Sequence, residues 1–129
     1  NLKQKQLRFL GPRDDVLDLM LAADVLTHPA YKEAGGIVLL EALVRGLPVV
    51  TTAICGHAHH INSSECGVVL PEPFNLNEYT HAVEQVIGDR ELMHSKGISY
   101  GKRADLYGMA EAVVGYAENL MTKTGGRRG

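Results

Sequence analysis

Tryptophan is absent, phenylalanine and cysteine occur twice each, and no long apolar run interrupts the sequence. Each shortage excludes something. A membrane-spanning helix needs about 20 consecutive apolar residues, and none are available. No charged-then-apolar leader of a secretory signal opens the chain. Structural zinc sites take four ligands, a pattern that Cys55 and Cys66 do not supply. We expect these to be two reduced, partly buried thiols in a cytoplasmic protein. Basic residues are not in excess either: 13 Lys and Arg face 15 Asp and Glu, giving a net charge of −2. With no basic stripe to meet duplex phosphates, no nucleic-acid partner is expected. The basic pair Arg127-Arg128 lies in a Gly-rich stretch, 122–129, expected to be a flexible tail. P-loop, GxGxxG and GxSxG patterns are all missing, and no Ser-His-Asp order is present.

What remains is enough for one domain with a reasonable core. Asn1 opens the sequence rather than Met, so we expect a piece of a longer chain. Residues 7–10 form a short β-prone run stopped at Gly11-Pro12. Val16, Leu19, Met20 and Ala23 recur at helical spacing, which predicts a helix over 15–23 with Asp14 or Asp15 as cap. A strand over 25–28 ends at Pro29, a helix runs over 36–45, and a buried strand follows over 48–52. Residues 55–64 read as a loop with a short helix around His59. Another strand covers 67–70 and is closed by Pro71 and Pro73. Asn75 with Glu78 resembles a capping box, and Phe74 can staple onto the first turn. The helix that follows shows an apolar face of Leu76, Tyr79, Val83, Val86 and Ile87. A weaker helix over 91–103 is interrupted by Gly97 and Gly101. A last helix carries a stripe from Met109 to Leu120. Strands alternating with helices over short connections predict an α/β fold, a parallel sheet with helices on both faces.

Such sheets bind ligands at the carboxyl ends of their strands, and the stretch 31–48 begins there. Glu33 precedes Gly35-Gly36, and the helix that opens at Ile37 leaves unpaired amides beside a positive dipole end. The glycines either make a tight turn or let an anion approach the backbone. Glu41 stands among apolar neighbours, where a carboxylate needs a partner. That partner is a structural ion pair or a ligand hydroxyl. Glu33 is a surface cap or a second ligand contact. Arg13 and Lys32 are the nearest basic residues, as site charges or as solvated ones. His57, His59 and His60 sit at i, i+2 and i+3, which does not place them on one helix face, so no metal site is expected. One of them could donate to a substrate. His28, before Pro29, is a core or cleft-edge residue.

Taken together, the strand ending at Pro29, the spacing Glu33-x7-Glu41 and the exit Gly46-Leu-Pro48-Val-Val resemble glycosyltransferase family 4. The run from Pro29 to Ala34, the segment Thr51 to His59 and the order Cys66-Gly67 then Glu72-Pro73-Phe74 look like its lipopolysaccharide-core glucosyltransferases. The resemblance covers most of the chain up to Phe74. It implies a GT-B enzyme of two Rossmann-like domains, with this chain a partial C-terminal, nucleotide-sugar-binding domain over 1–121. By that pattern Glu41 holds the ribose hydroxyls and Glu33 lies by the donor sugar as the catalytic carboxylate. Backbone amides of Ala34, Gly35, Gly36, Ile37 and Val38 meet the sugar and distal phosphate, and Arg13 belongs to the loop that meets the base. The implied donor is UDP-glucose or a similar nucleotide-sugar, transferred with retention and without metal or cofactor. The acceptor is the lipopolysaccharide inner core, met through an N-terminal domain outside this chain, with peripheral membrane association in the longer protein. The Arg/Lys pair for the pyrophosphate also lies upstream, so the chain alone is expected to be inactive. The chain departs from the family pattern at Ala30, where Ser is usual, at the directly joined Gly35-Gly36, and at His59 and His60, where an acid is usual. Alternatives are a related transferase of another sugar, or a non-catalytic nucleotide-binding module.

Overall fold

All four residues of strand β2 (Val49–Thr52) are buried, the mark of a strand covered on both faces. A computed structural model of the chain describes residues 7–30, 32 and 36–104. Its elements are α1 (Val16–Ala22), β1 (Leu26–His28), α2 (Ile37–Val44), β2, α3 (Ala58–Ser64), β3 (Gly67–Leu70), α4 (Leu76–Gly88) and α5 (Arg90–Arg103). The sheet order is β1-β2-β3, and both pairs are parallel. Leu26 stands opposite Val49, and Val49 opposite Gly67. Alternate residues of β2 then feed two cores. Val49 packs with Leu39, Leu40 and Leu43 of α2 and Ile61 of α3. Val50 packs with Tyr79, Ala82 and Val86 of α4 on the other face. The parallel α/β class read from the sequence is the fold observed.

Helix α2 has eight residues, and isolated helices shorter than about 12 residues are marginal in water. It stands because Leu39, Leu40 and Leu43 are fully buried, each such side chain stabilising by about 1.5–3 kcal/mol. Its exit is a two-bond cap. Gly46, at φ 71°, donates its N–H to the Leu43 carbonyl at 3.0 Å, and Leu47 donates to Ala42 at 2.9 Å. Only a residue that tolerates the left-handed region closes a helix this way, which is what Gly46 supplies. At α4 the Asn75 side chain accepts from the Glu78 amide at 3.0 Å. The Phe74 and Tyr79 rings meet with centroids 5.6 Å apart, a hydrophobic staple across the cap.

Several expectations are corrected. Residues 7–10 are not a strand: they pair with no described strand, and Phe9 is 93% exposed. Intrinsic β preference cannot make a ladder without an edge to join. Asp15 does not cap α1 with its side chain, because Arg13 holds its carboxylate. On α4, Leu76 and Ile87 face solvent and Ala82 takes their place in the core. Helix α5 is not interrupted at Gly97 and Gly101. Both glycines are buried within it and let it approach closely. A Cβ on Gly97 would stand 2.6 Å from the Cys66 sulfur, and one on Gly101 would touch the Val44 backbone at 3.5 Å. The helix expected over 109–120 and the tail over 122–129 lie outside the described residues. So does the division of the chain at residue 121.

Gly97→Ala should therefore destabilise by about 1–3 kcal/mol through overpacking, despite alanine's better helix propensity. A methyl on Gly88, also helical, meets nothing within 4 Å. Gly88→Ala should leave the urea midpoint unchanged or raise it, while Gly97→Ala lowers it. Equal midpoints in the two variants would contradict the close approach of α5.

Candidate functional site

The carboxyl edge of the sheet is built by the residues that leave β1, β2 and β3. Thr52 pins the first of these exits. Its hydroxyl donates to the Ala30 carbonyl at 3.0 Å and accepts from the Ala30 amide at 3.2 Å. Nothing in the sequence distinguishes this threonine from one chosen for β preference.

At the start of α2, Gly36 adopts the left-handed conformation, φ 72° and ψ 24°, and no described side chain caps the helix. Its carbonyl accepts from the Leu39 amide at 2.9 Å. The amides of Ile37 and Val38 lie ahead of the first intrahelical acceptor, so they point out of the helix with the dipole behind them. Space is not what demands glycine here: a Cβ on Gly36 would make ordinary contacts with Leu39 and with the His57 backbone. The backbone conformation demands it.

Glu41 is half-buried on a helix whose other residues from Leu39 to Val44 are buried. The less buried positions of α2 are Ile37, Val38 and Glu41, three and four residues apart, so they share one open side. No described residue pairs with the Glu41 carboxylate. The adjacent Arg45 guanidinium goes instead to the Glu41 backbone carbonyl, at 2.9 Å. Helical side chains lean toward the N-terminus, and Glu41 sits about 6 Å along the axis from Ile37. Its carboxylate thus leans back along the same side that carries the open amides. The structural ion-pair reading of Glu41 has no described partner to support it.

Of the other residues singled out in the sequence, Glu33, Ala34 and Gly35 lie outside the described residues. Lys32 is exposed. Arg13 is exposed and held by Asp15 through two bonds of 2.6 Å. The Asp15 hydrogen bond, then its charge, holds the Arg13 pKa above its ordinary value, and the Arg13 hydrogen bond holds that of Asp15 below. No described hydrogen bond or ion pair joins Arg13 to α2.

The rings of His57, His59 and His60 lie with centroids 4.0–6.5 Å apart. Among the described residues no group of three or more His, Cys, Asp or Glu is placed to hold a metal ion. His57 Nδ1 is buried without a hydrogen-bond partner. His60 Nδ1 meets the Tyr100 hydroxyl at 3.0 Å. Burial, then the charges of His59 and His57, hold the His60 pKa below the ordinary imidazole value. Both cysteines are free and buried, and burial pushes the Cys66 thiol up to about 12. A cavity of about 430 Å³ opens at the carboxyl edge, lined by Ala30, Thr52, Pro71, Glu72, Pro73 and Phe74. Among the described residues no helix is long and apolar enough to cross a membrane.

A parallel sheet with helices on both faces, and among the described residues an uncapped helix start with an unpaired carboxylate, defines an α/β domain of the doubly wound class. The chain belongs to the family described as glycosyl transferases group 1, whose model matches residues 1–103. It is 42% identical over 111 residues to the lipopolysaccharide glucosyltransferase WaaG of Escherichia coli (strain K12), covering 84% of this chain and 30% of the relative. Against a D-inositol 3-phosphate glycosyltransferase of Corynebacterium aurimucosum the identity is 28% over 113 residues, covering 86% of this chain and 27% of that protein. The crystal structure of WaaG matches with a TM-score of 0.77 at 42% identity, over 85% of this chain and 30% of that one. The chain thus spans about a third or less of the length of these relatives.

The histidine cluster yields a pH prediction. Folding makes His60 harder to protonate, so the unfolded chain takes up its proton first as pH falls through about 6.5. Stability contributed by neutral His60 is lost from there down to its lower folded pKa and levels off below it. Urea midpoints at pH 7.5 and 5.5 should fall less in His60→Gln than in the parent. Equal pH dependence would contradict the burial of this imidazole.

Proposed function

We propose that the chain is the donor-binding part of a retaining GT-B glycosyltransferase that moves glucose from UDP-glucose to the lipopolysaccharide inner core. The observation that carries this reading is the pairing on one side of α2: Ile37 and Val38 amides beside Gly36, and the Glu41 carboxylate, unpaired among the described residues, leaning back toward them. Amides at a helix start favour a phosphate, and a carboxylate favours neighbouring hydroxyls. A sugar nucleotide offers both within a few ångströms. The similarity to a lipopolysaccharide glucosyltransferase supports the choice of glucose and of acceptor.

In this reading Glu41 holds the ribose hydroxyls, while Glu33 and the amides from Ala34 to Val38 face the donor sugar and distal phosphate. The helix dipole stabilises the diphosphate as it departs, so charge developing in the transition state is met without a metal ion. Arg13 must leave Asp15 to reach a base. The pyrophosphate-binding Arg/Lys pair and the acceptor domain belong to sequence outside this chain, as does any peripheral membrane contact. UDP-galactose and UDP-N-acetylglucosamine compete with UDP-glucose as donors on this architecture, and titrating all three ranks them.

Glu41→Ala should raise the dissociation constant for UDP-glucose about tenfold, the cost of one or two hydrogen bonds. Its urea midpoint should barely move, since a half-exposed side chain without a partner contributes under about 0.5 kcal/mol to folding. Unchanged nucleotide affinity with a lowered midpoint would make Glu41 structural. A second outcome concerns the 129-residue chain alone, which should release no glucose to a lipopolysaccharide acceptor. Transfer by this chain would overturn the assignment of the acceptor half to other sequence.

A further inference from the structure

The cavity of about 430 Å³ at the carboxyl edge is not part of the α2 site. Its walls come from the exits of all three strands: Ala30 after β1, Thr52 at the end of β2, and Pro71, Glu72, Pro73 and Phe74 after β3. Ala30 packs on the core that holds α2, and Phe74 packs on the core that holds α4. The cavity therefore straddles the end of β2 between the two faces of the sheet. The Thr52 hydroxyl is committed to the Ala30 backbone, to which it donates and from which it accepts. The prolines on either side of Glu72 stiffen the β3 exit, because each ring locks its own φ.

The lining narrows what can fit. Glu72 is exposed, no described residue pairs with its carboxylate, and no basic side chain stands among the lining residues. An ionised carboxylate only accepts hydrogen bonds, and it repels a phosphate. An acyl chain in the cavity would desolvate the carboxylate and give it no partner. Phe74 is half-buried, and with Pro71 and Pro73 it offers a carbon surface. A pyranose matches both features. Its C–H faces pack on aromatic and proline carbons, and its hydroxyls donate to a carboxylate. The volume falls at the lower end of the range of small-molecule sites, about 300–1,000 Å³, which suits a sugar.

We propose that this cavity is a subsite for a neutral sugar ring of the acceptor, with Glu72 accepting from its hydroxyls and Phe74 carrying its apolar face. The inference rests on the donor-binding reading above and deepens it. Transfer needs the attacking acceptor hydroxyl about 3–3.5 Å from the reacting carbon of the donor sugar. Donor and acceptor sugars must therefore meet at one edge of the sheet. The cavity opens on the edge from which the chain enters α2, and Ala30 belongs both to its wall and to the connection between β1 and α2. This chain then contributes one wall of the acceptor site, and sequence outside it contributes the rest.

The test follows ¹H–¹⁵N amide shifts of the 129-residue chain in two titrations. The probes are UDP-glucose and a lipopolysaccharide core oligosaccharide that has been deacylated and dephosphorylated. The oligosaccharide should move the amides of Thr52, Glu72 and Phe74, with a dissociation constant of about 1–10 mM. UDP-glucose should move those of Gly36, Ile37 and Val38 and leave Glu72 and Phe74 in place. Glu72→Ala removes an exposed side chain, so it should keep the parent spectrum and the UDP-glucose response while weakening the oligosaccharide about tenfold. Two results overturn the proposal while the donor reading stands: an oligosaccharide that leaves 52, 72 and 74 unmoved, or one that binds Glu72→Ala as well as the parent. UDP-glucose shifts at Glu72 and Phe74 overturn it too, by giving the cavity to the donor. Absence of UDP-glucose shifts at Gly36, Ile37 and Val38 overturns the donor reading and, with it, the assignment of the bound sugar as acceptor. The wild-type titrations need no variant, so a misfolded variant does not decide the outcome.

Discussion

Everything in this domain depends on burying β2 from both sides. A four-residue strand has little to hold it except what packs above and below, and here Val49 and Val50 point into two separate cores. One core recruits α2, α3 and α5, and the other recruits α4. Parallel pairing follows from the same demand, since the crossovers α2 and α3 are the layers that cover one face. Because all three strands run the same way, their carboxyl ends fall on one edge, and every loop that leaves them reaches the same place. The candidate site is a by-product of that geometry.

The tightness of the α2 core has a second consequence. Leu39, Leu40, Ala42, Leu43 and Val44 use nearly the whole circumference of α2, which leaves one open side near its start. Polar function on this helix can stand only there. Gly36 at one end and Gly46 at the other hold left-handed conformations that set where the helix begins and stops. The amides and the Glu41 carboxylate are therefore fixed by the packing of leucines that touch no ligand. Thr52, clasping Ala30, and Thr51, whose hydroxyl donates to the His28 carbonyl oxygen at 3.0 Å, carry the same rigidity into the exits of β1 and β2. A site on such elements is held more precisely than one on a free loop.

Membership of a glycosyl transferase family makes sense of this arrangement without adding to it. Among the described residues, the open side of α2 brings helix-start amides and the Glu41 carboxylate together. The chain spans about 30% of the length of its lipopolysaccharide glucosyltransferase relative.

The sequence by itself determined the element order from 15 to 103 and the parallel class. Those signals are local: helical spacing, Gly46-Leu-Pro48 as an exit, the Asn75 cap, Gly35-Gly36 before an apolar run. Element edges and helix caps depend on a few neighbouring residues, and so they can be read from a string. Tertiary structure decided what depends on partners. Residues 7–10 have β preference and found no edge to join. Gly97 and Gly101 look like helix breaks, yet serve as the notch against Cys66 and Val44, because a missing Cβ is useful only when another element arrives. Ala82 displaced Leu76 and Ile87 from the core because the sheet meets α4 along a narrower stripe than hydrophobicity alone suggests. The contacts of Thr51 with the His28 carbonyl oxygen and the Cys55 sulfur join positions up to 27 residues apart, and no spacing along the chain reveals them.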